Sequence, residues 1–142
     1  MKLRNQGPVQ PAPEMTDYAG ALVGIIESWP GVASFTHWRL GSPGTVDGAE
    51  FHVADGELGH IHLDATGHIL LNQRIAALVV QKGLGRTPSW SNTWISQPVR
   101  SSADVSHAAW LFGLAYGRLR GVSDDEVIEQ LELANAQTDV RL

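Results

Sequence analysis

Apolar positions change period several times along the chain. Met15, Tyr18, Leu22, Ile25, Ile26 and Trp29 recur at three- and four-residue intervals, with Asp17, Gly20, Gly24 and Glu27 mostly between them. That period places one apolar face on an amphipathic helix. Thr16 or Asp17 suits its start, and Pro30-Gly31 its end. Residues 32–40 then mix β-branched and aromatic side chains and read as a strand, closed by the turn sequence Gly41-Ser42-Pro43-Gly44. Residues 49–54 and 57–63 flank Asp55-Gly56, a dipeptide suited to a two-residue type I′ hairpin turn. Thr66-Gly67 makes another turn before a short strand at 68–71. Asn72 caps a helix through Ile75, Leu78 and Val79 that Gly83 ends. Residues 90–99 read as a further strand, with Pro98 at an edge or an end.

Two helices follow. Ser101 or Ser102 opens the first, whose inner stripe is Val105, Ala108, Ala109, Phe112, Tyr116 and Leu119. Trp110, Leu111 and Leu114 predict that a second face is covered too. Ser123-Asp124-Asp125-Glu126 has capping-box form and opens a last helix through Val127, Ile128, Leu131 and Ala134, the candidate cover. Short connections between the early strands favour antiparallel pairing. The expected fold is α+β: an antiparallel sheet of four to five strands with helices packed on one side. Residues 1–14, with Pro8, Pro11 and Pro13, read as a flexible N-terminal arm, and residues 15–142 as one domain.

Composition narrows the function classes. The chain of 142 residues has no cysteine, which excludes disulfide scaffolds, thiolate zinc sites and cysteine nucleophiles. A net charge of -5 disfavours nucleic acid and anionic membrane as partners. Lys2 and Arg4 are followed by no apolar run, so the start does not read as a signal peptide, and a cytoplasmic protein is expected.

Candidate chemistry centres on the histidines. Four of six, His37, His52, His60 and His62, fall between residues 37 and 62. His60 and His62 share a strand face, and two imidazoles so placed suit zinc, copper, iron or nickel. The Asp55-Gly56 turn pairs Phe51 with His60 and Ala49 with His62. It sends Glu50, His52 and Glu57 to the opposite face, so His52 does not join the pair unless a bulge re-aims it. A third ligand then comes from elsewhere, with His37 or Asp64 as candidates. The competing reading makes the pair half-buried polar residues bonded to backbone or carboxylate. His68 and His107 read as structural or exposed. Glu57 and Asp64 are the candidate catalytic bases. Trp90 and Trp94, with Arg86, can line a small-molecule pocket; simple packing is the alternative.

Several short segments resemble a known family: Glu57-Leu58-Gly59-His60-Ile61-His62, the helix beginning near Gln73, Trp94-Ile95, and Ala103-Asp104-Val105 leading to Leu114-Ala115-Tyr116-Gly117-Arg118. Trp29-Pro30-Gly31-Val32 and Ala49-Glu50-Phe51 also fit. Together they are similar to the small luciferase-like domain family of bacteria and fungi, over roughly residues 25–120. The flavin-dependent luciferases are TIM barrels of about 250 residues, which this chain is too short to form. The resemblance therefore implies neither a flavin nor light emission. It implies that His60 and His62 belong to the family's histidine motif. One departure stands out: the family pattern has a histidine-bearing loop before the Trp94 position, where this chain reads Arg86-Thr87-Pro88-Ser89.

Three readings remain side by side. The first is a domain binding a small ligand or a divalent transition metal near His60 and His62. The second is a metal-dependent enzyme. The third is a non-catalytic interaction module that forms a homodimer through its last helices.

Overall fold

A computed structural model of the chain describes residues 8–42 and 44–140, with side chains as far as Ala134. The elements run α1 (Asp17–Glu27), β1 (Ala33–Trp38), β2 (Val46–Val53), β3 (Gly56–His62), β4 (Thr66–Leu70), α2 (Gln73–Gln81), β5 (Trp94–Pro98), α3 (Ser102–Leu119) and α4 (Asp124–Val140). The strands form one sheet in sequence order, β1-β2-β3-β4-β5, with every pair antiparallel. The α+β class and the antiparallel sheet follow from the pattern of apolar positions.

Alternation gives the sheet two unlike faces. One carries Ala49, Phe51, Val53, Ile61, Ile69 and Ile95, all buried. α3 lies across this face, and Phe112 meets Phe51 edge to face at 6.1 Å. α1 packs along α3 through Leu22 and Ile26. α4 places Val127 and Leu131 in the core and packs chiefly against α2, so α1 rather than α4 is the main cover of α3.

The helix starts use the expected chemistry. Asn72 Oδ1 accepts from Ile75 N, and Ser101 Oγ accepts from Asp104 N. Ser123 and Glu126 close a reciprocal box, Glu126 N donating to Ser123 Oγ and Ser123 N to Glu126 Oε1. Thr16 stands before α1 without a side-chain cap bond. Of the N-terminal arm, residues 1–7 lie outside the described residues. Residues 8–11 run beside β1, where Thr36 N donates to the Gln10 carbonyl, Thr36 Oγ1 to Pro11 and Trp38 Nε1 to Pro8.

The β2–β3 register differs from the expected one. The turn residues are Ala54 and Asp55, and Val53 pairs with Gly56. Ala54 takes the left-handed conformation, with φ 55°. Gly56 serves packing rather than the turn: a Cβ there would lie 2.6 Å from the Leu119 side chain. A bulge then inserts Leu58, so Phe51 pairs with Gly59, Glu50 with His60 and Gly48 with His62. The expected pairs Phe51 with His60 and Ala49 with His62 are thereby replaced. Leu58 is fully buried and Gly59 lies beneath Phe112, so two successive residues serve the apolar face.

Candidate metal centre

The bulge decides the chemistry of the open face. Glu57 and His60 are three apart yet on the same side, and His60 Nδ1 donates to Glu57 Oε2 at 3.1 Å. Glu50, opposite His60, also faces this side, as does His52, opposite Glu57. The expectation that Glu50, His52 and Glu57 turn away from the paired imidazoles is corrected by that one extra residue. β1 and β4 complete the face. His37 pairs with Gly48, which pairs with His62, and His68 pairs with His60. A Cβ at Gly48 would meet the Ile61 carbonyl oxygen at 1.9 Å, and its φ is 151°, so this close backbone approach requires glycine.

Four imidazoles gather here. His37 stacks on His60 with centroids 3.8 Å apart and planes 10° from parallel. His62 stands edge-on to His60 at 4.8 Å and to His68 at 4.7 Å. One nitrogen from each of His37, His60 and His62 falls within 4.8 Å of the others. His68 Nδ1 lies 3.0 Å from His62 Nε2 and 3.2 Å from His60 Nε2. His68 thus belongs to the cluster, against the expectation that it stands apart. The expected Thr66-Gly67 turn is corrected: the chain reverses at residues 63–65, Thr66 and Gly67 already belong to β4, and that shift sets His68 opposite His60.

Carboxylates brace three of the rings from outside. His37 Nδ1 donates to Glu50 Oε1 at 2.9 Å, His60 Nδ1 to Glu57 Oε2, and His62 Nδ1 to Asp47 Oδ2 at 2.8 Å. An ionised carboxylate only accepts. Each neutral ring so held has its proton on Nδ1 and a lone pair on Nε2. His68 Nδ1 carries at most one proton to share between the Nε2 atoms of His60 and His62. His52 Nε2 donates to the other oxygen of Glu50 at 2.9 Å, so His52 acts through Glu50.

Electrostatics agree with that inventory. Burial, followed by the charges of His37, His62 and His68, holds His60 well below the usual histidine value. Burial, then His62, lowers His68 to about 4. Burial raises Glu50, but its bonds to His37 and His52 prevail and bring it down to about 2. At neutral pH His60 and His68 are therefore neutral, and the Glu50 carboxylate near them is ionised.

The remaining expected site residues fall around the cluster. Trp94 lies 5.1 Å from His60 and Trp90 5.5 Å from His68, centroid to centroid. Arg86 is exposed, and its carbonyl accepts from Ser96 N beside β5. Asp64 is exposed and lines a shallow depression of ≈ 470 Å³ with Arg39, Leu40, Asp47, Thr66, His62 and His68. His107 lies away from this face, its Nε2 donating to the Leu84 carbonyl while its ring stacks on Trp110.

Fold and site together define an α+β domain that presents a carboxylate-braced histidine cluster on the open face of an antiparallel meander. Residues 55–115 match the sequence model of the family described as Luciferase domain, which supports a luciferase-like domain over that stretch. The matched stretch holds His60, His62, His68, Trp90 and Trp94; His37, Asp47 and Glu50 lie before it. No curated protein and no solved structure matches the chain. Among the described residues, no helix is long and apolar enough to cross a membrane.

Proposed function

We propose that this luciferase-like domain binds one divalent transition metal ion through imidazole nitrogens on its open sheet face. His60 and His62 form the candidate triad with His37, and His68 Nδ1 lies beside both of them. The observation that carries the reading is the convergence of the Nε2 atoms of His60 and His62 on His68 Nδ1, at 3.2 and 3.0 Å. Two nitrogens on a tetrahedral zinc ion lie about 3.3 Å apart, from bonds of about 2.05 Å. One shared proton satisfies such a group incompletely, whereas a cation satisfies every lone pair.

The outer carboxylates support the same reading. A metal-binding histidine ordinarily donates its other N–H to a carboxylate or carbonyl, which fixes the tautomer and raises ring basicity. His37, His60 and His62 all have such a partner. Three protein ligands leave one position for an outside molecule, the pattern of catalytic rather than structural sites. The depression at His62 and His68 offers an approach to it.

The test uses full-length protein purified without an affinity tag. Elemental analysis and calorimetric titration with zinc and nickel should give close to one equivalent. The double variant His60→Ala/His62→Ala should lose that uptake with its far-ultraviolet circular dichroism unchanged. Less than about a tenth of an equivalent after metal loading, or uptake unaffected by the double variant, rejects the proposal.

A further inference from the structure

Trp90 keeps 60% of its surface exposed, although the loop bearing it is tied down. Ser96 N donates to the Arg86 carbonyl, Ser91 N to Pro88 and Leu71 N to Thr93, while Thr93 N donates to Ser91 Oγ. The loop holds the indole edge-on to His68 and 6.1 Å from Trp94, whose own ring reaches His60. Tyr18, another exposed aromatic residue, lies away on α1. A large apolar ring left in water by an ordered loop, next to clustered metal-type donors, is a surface suited to an incoming partner.

The donor set narrows that partner. Neutral imidazoles bring no charge to a bound dication, and Asp47, Glu50 and Glu57 are engaged with ring nitrogens rather than aimed inward. The metal therefore retains positive charge toward the open side, where an anionic oxygen donor is favoured. Trp90 and Trp94 add flat apolar surface beside it.

We infer that the site takes a planar aromatic molecule bearing an anionic chelating oxygen group, its oxygens on the metal and its ring against Trp90. This inference rests on the metal reading and specifies the ligand of the same site. Benzohydroxamate and acetohydroxamate share the chelating group and differ in the ring, which makes them suitable probes.

With nickel-loaded protein, benzohydroxamate should bind about three- to tenfold more tightly than acetohydroxamate, the range expected of one aromatic contact. Trp90→Ala should bring the ratio close to one at unchanged nickel content, and Trp90→Phe should keep most of it. Equal binding of the two probes, or a ratio that survives Trp90→Ala, overturns the inference while leaving the metal reading standing. A protein that takes up no nickel overturns both.

Discussion

Asp47, Glu50 and Glu57 each accept from a histidine Nδ1, and through that bond each controls a nitrogen it does not touch. Asp47 is the simplest to probe, because its carboxylate lies at the rim of the cluster with Arg39 3.9 Å away. Asp47→Ala should leave the fold intact and weaken zinc or nickel binding by about 10–100-fold, the usual cost of removing such an outer partner. Calorimetry reads the affinity, and a melting curve taken without metal checks the fold. Unchanged affinity would mean that the His62 tautomer is set by something other than Asp47. His60 and His62 were legible as neighbours from their spacing alone. The carboxylate on each ring was not, since pairing Asp47 with His62 and Glu50 with His37 depends on register across three strands.

At the level of elements, the bulge in β3 does most to place the site. Alternation and the caps of three helices were readable: Asn72, Ser101 and Ser123 start their helices as the sequence indicates. Register was not, because Asp55-Gly56 is a good turn dipeptide whose glycine is needed under Leu119 instead. Nothing in Glu57-Leu58-Gly59-His60 announces an extra residue until Phe112 is known to sit over Gly59. Gly59 has φ 151°, and a Cβ there would lie 2.2 Å from the His68 carbonyl oxygen and 2.8 Å from the Phe112 ring. Gly59→Ala should therefore cost about 3 kcal/mol in urea unfolding. It should also lower metal uptake in the surviving folded fraction, because the bulge holds Glu57 and His60 on one side. Ser123→Ala should cost only about 1 kcal/mol and leave metal uptake alone, as the loss of one cap at a distance from the sheet.

For the whole molecule, the neutral rings of His60 and His68 make stability depend on pH. An unfolded histidine titrates near 6.5, while His60 lies well below that value and His68 near 4. Between those values the unfolded chain binds protons that the native chain refuses, so stability rises with pH across the window. The contribution is complete above about pH 6.5 and is lost as pH falls toward 4. Glu50 acts lower: its contribution is present above about 4.5 and lost as pH falls through about 2. Urea midpoints of metal-free protein should fall between pH 7 and 4.5, with a shallower fall in His68→Gln. A flat profile over that range would contradict the neutral cluster. The fold class was legible because it follows from local periodicity. The site was legible in part, because it needs four strands aligned at once.

The strands that carry His37, His60, His62 and His68 are consecutive hairpin neighbours, β1 to β4, all preceding α2, α3 and α4 in the chain. Closing short loops between adjacent segments is entropically cheap compared with recruiting distant ones. During synthesis, every imidazole of the cluster thus exists before the helix that shelters Phe51 and Ile61 has been made. A cation captured at that moment would clamp the nascent ribbon while its greasy side still awaits α3. Stopped-flow refolding should then run faster with stoichiometric zinc than with a chelator, and the ion would serve as a template for the architecture as well as its occupant.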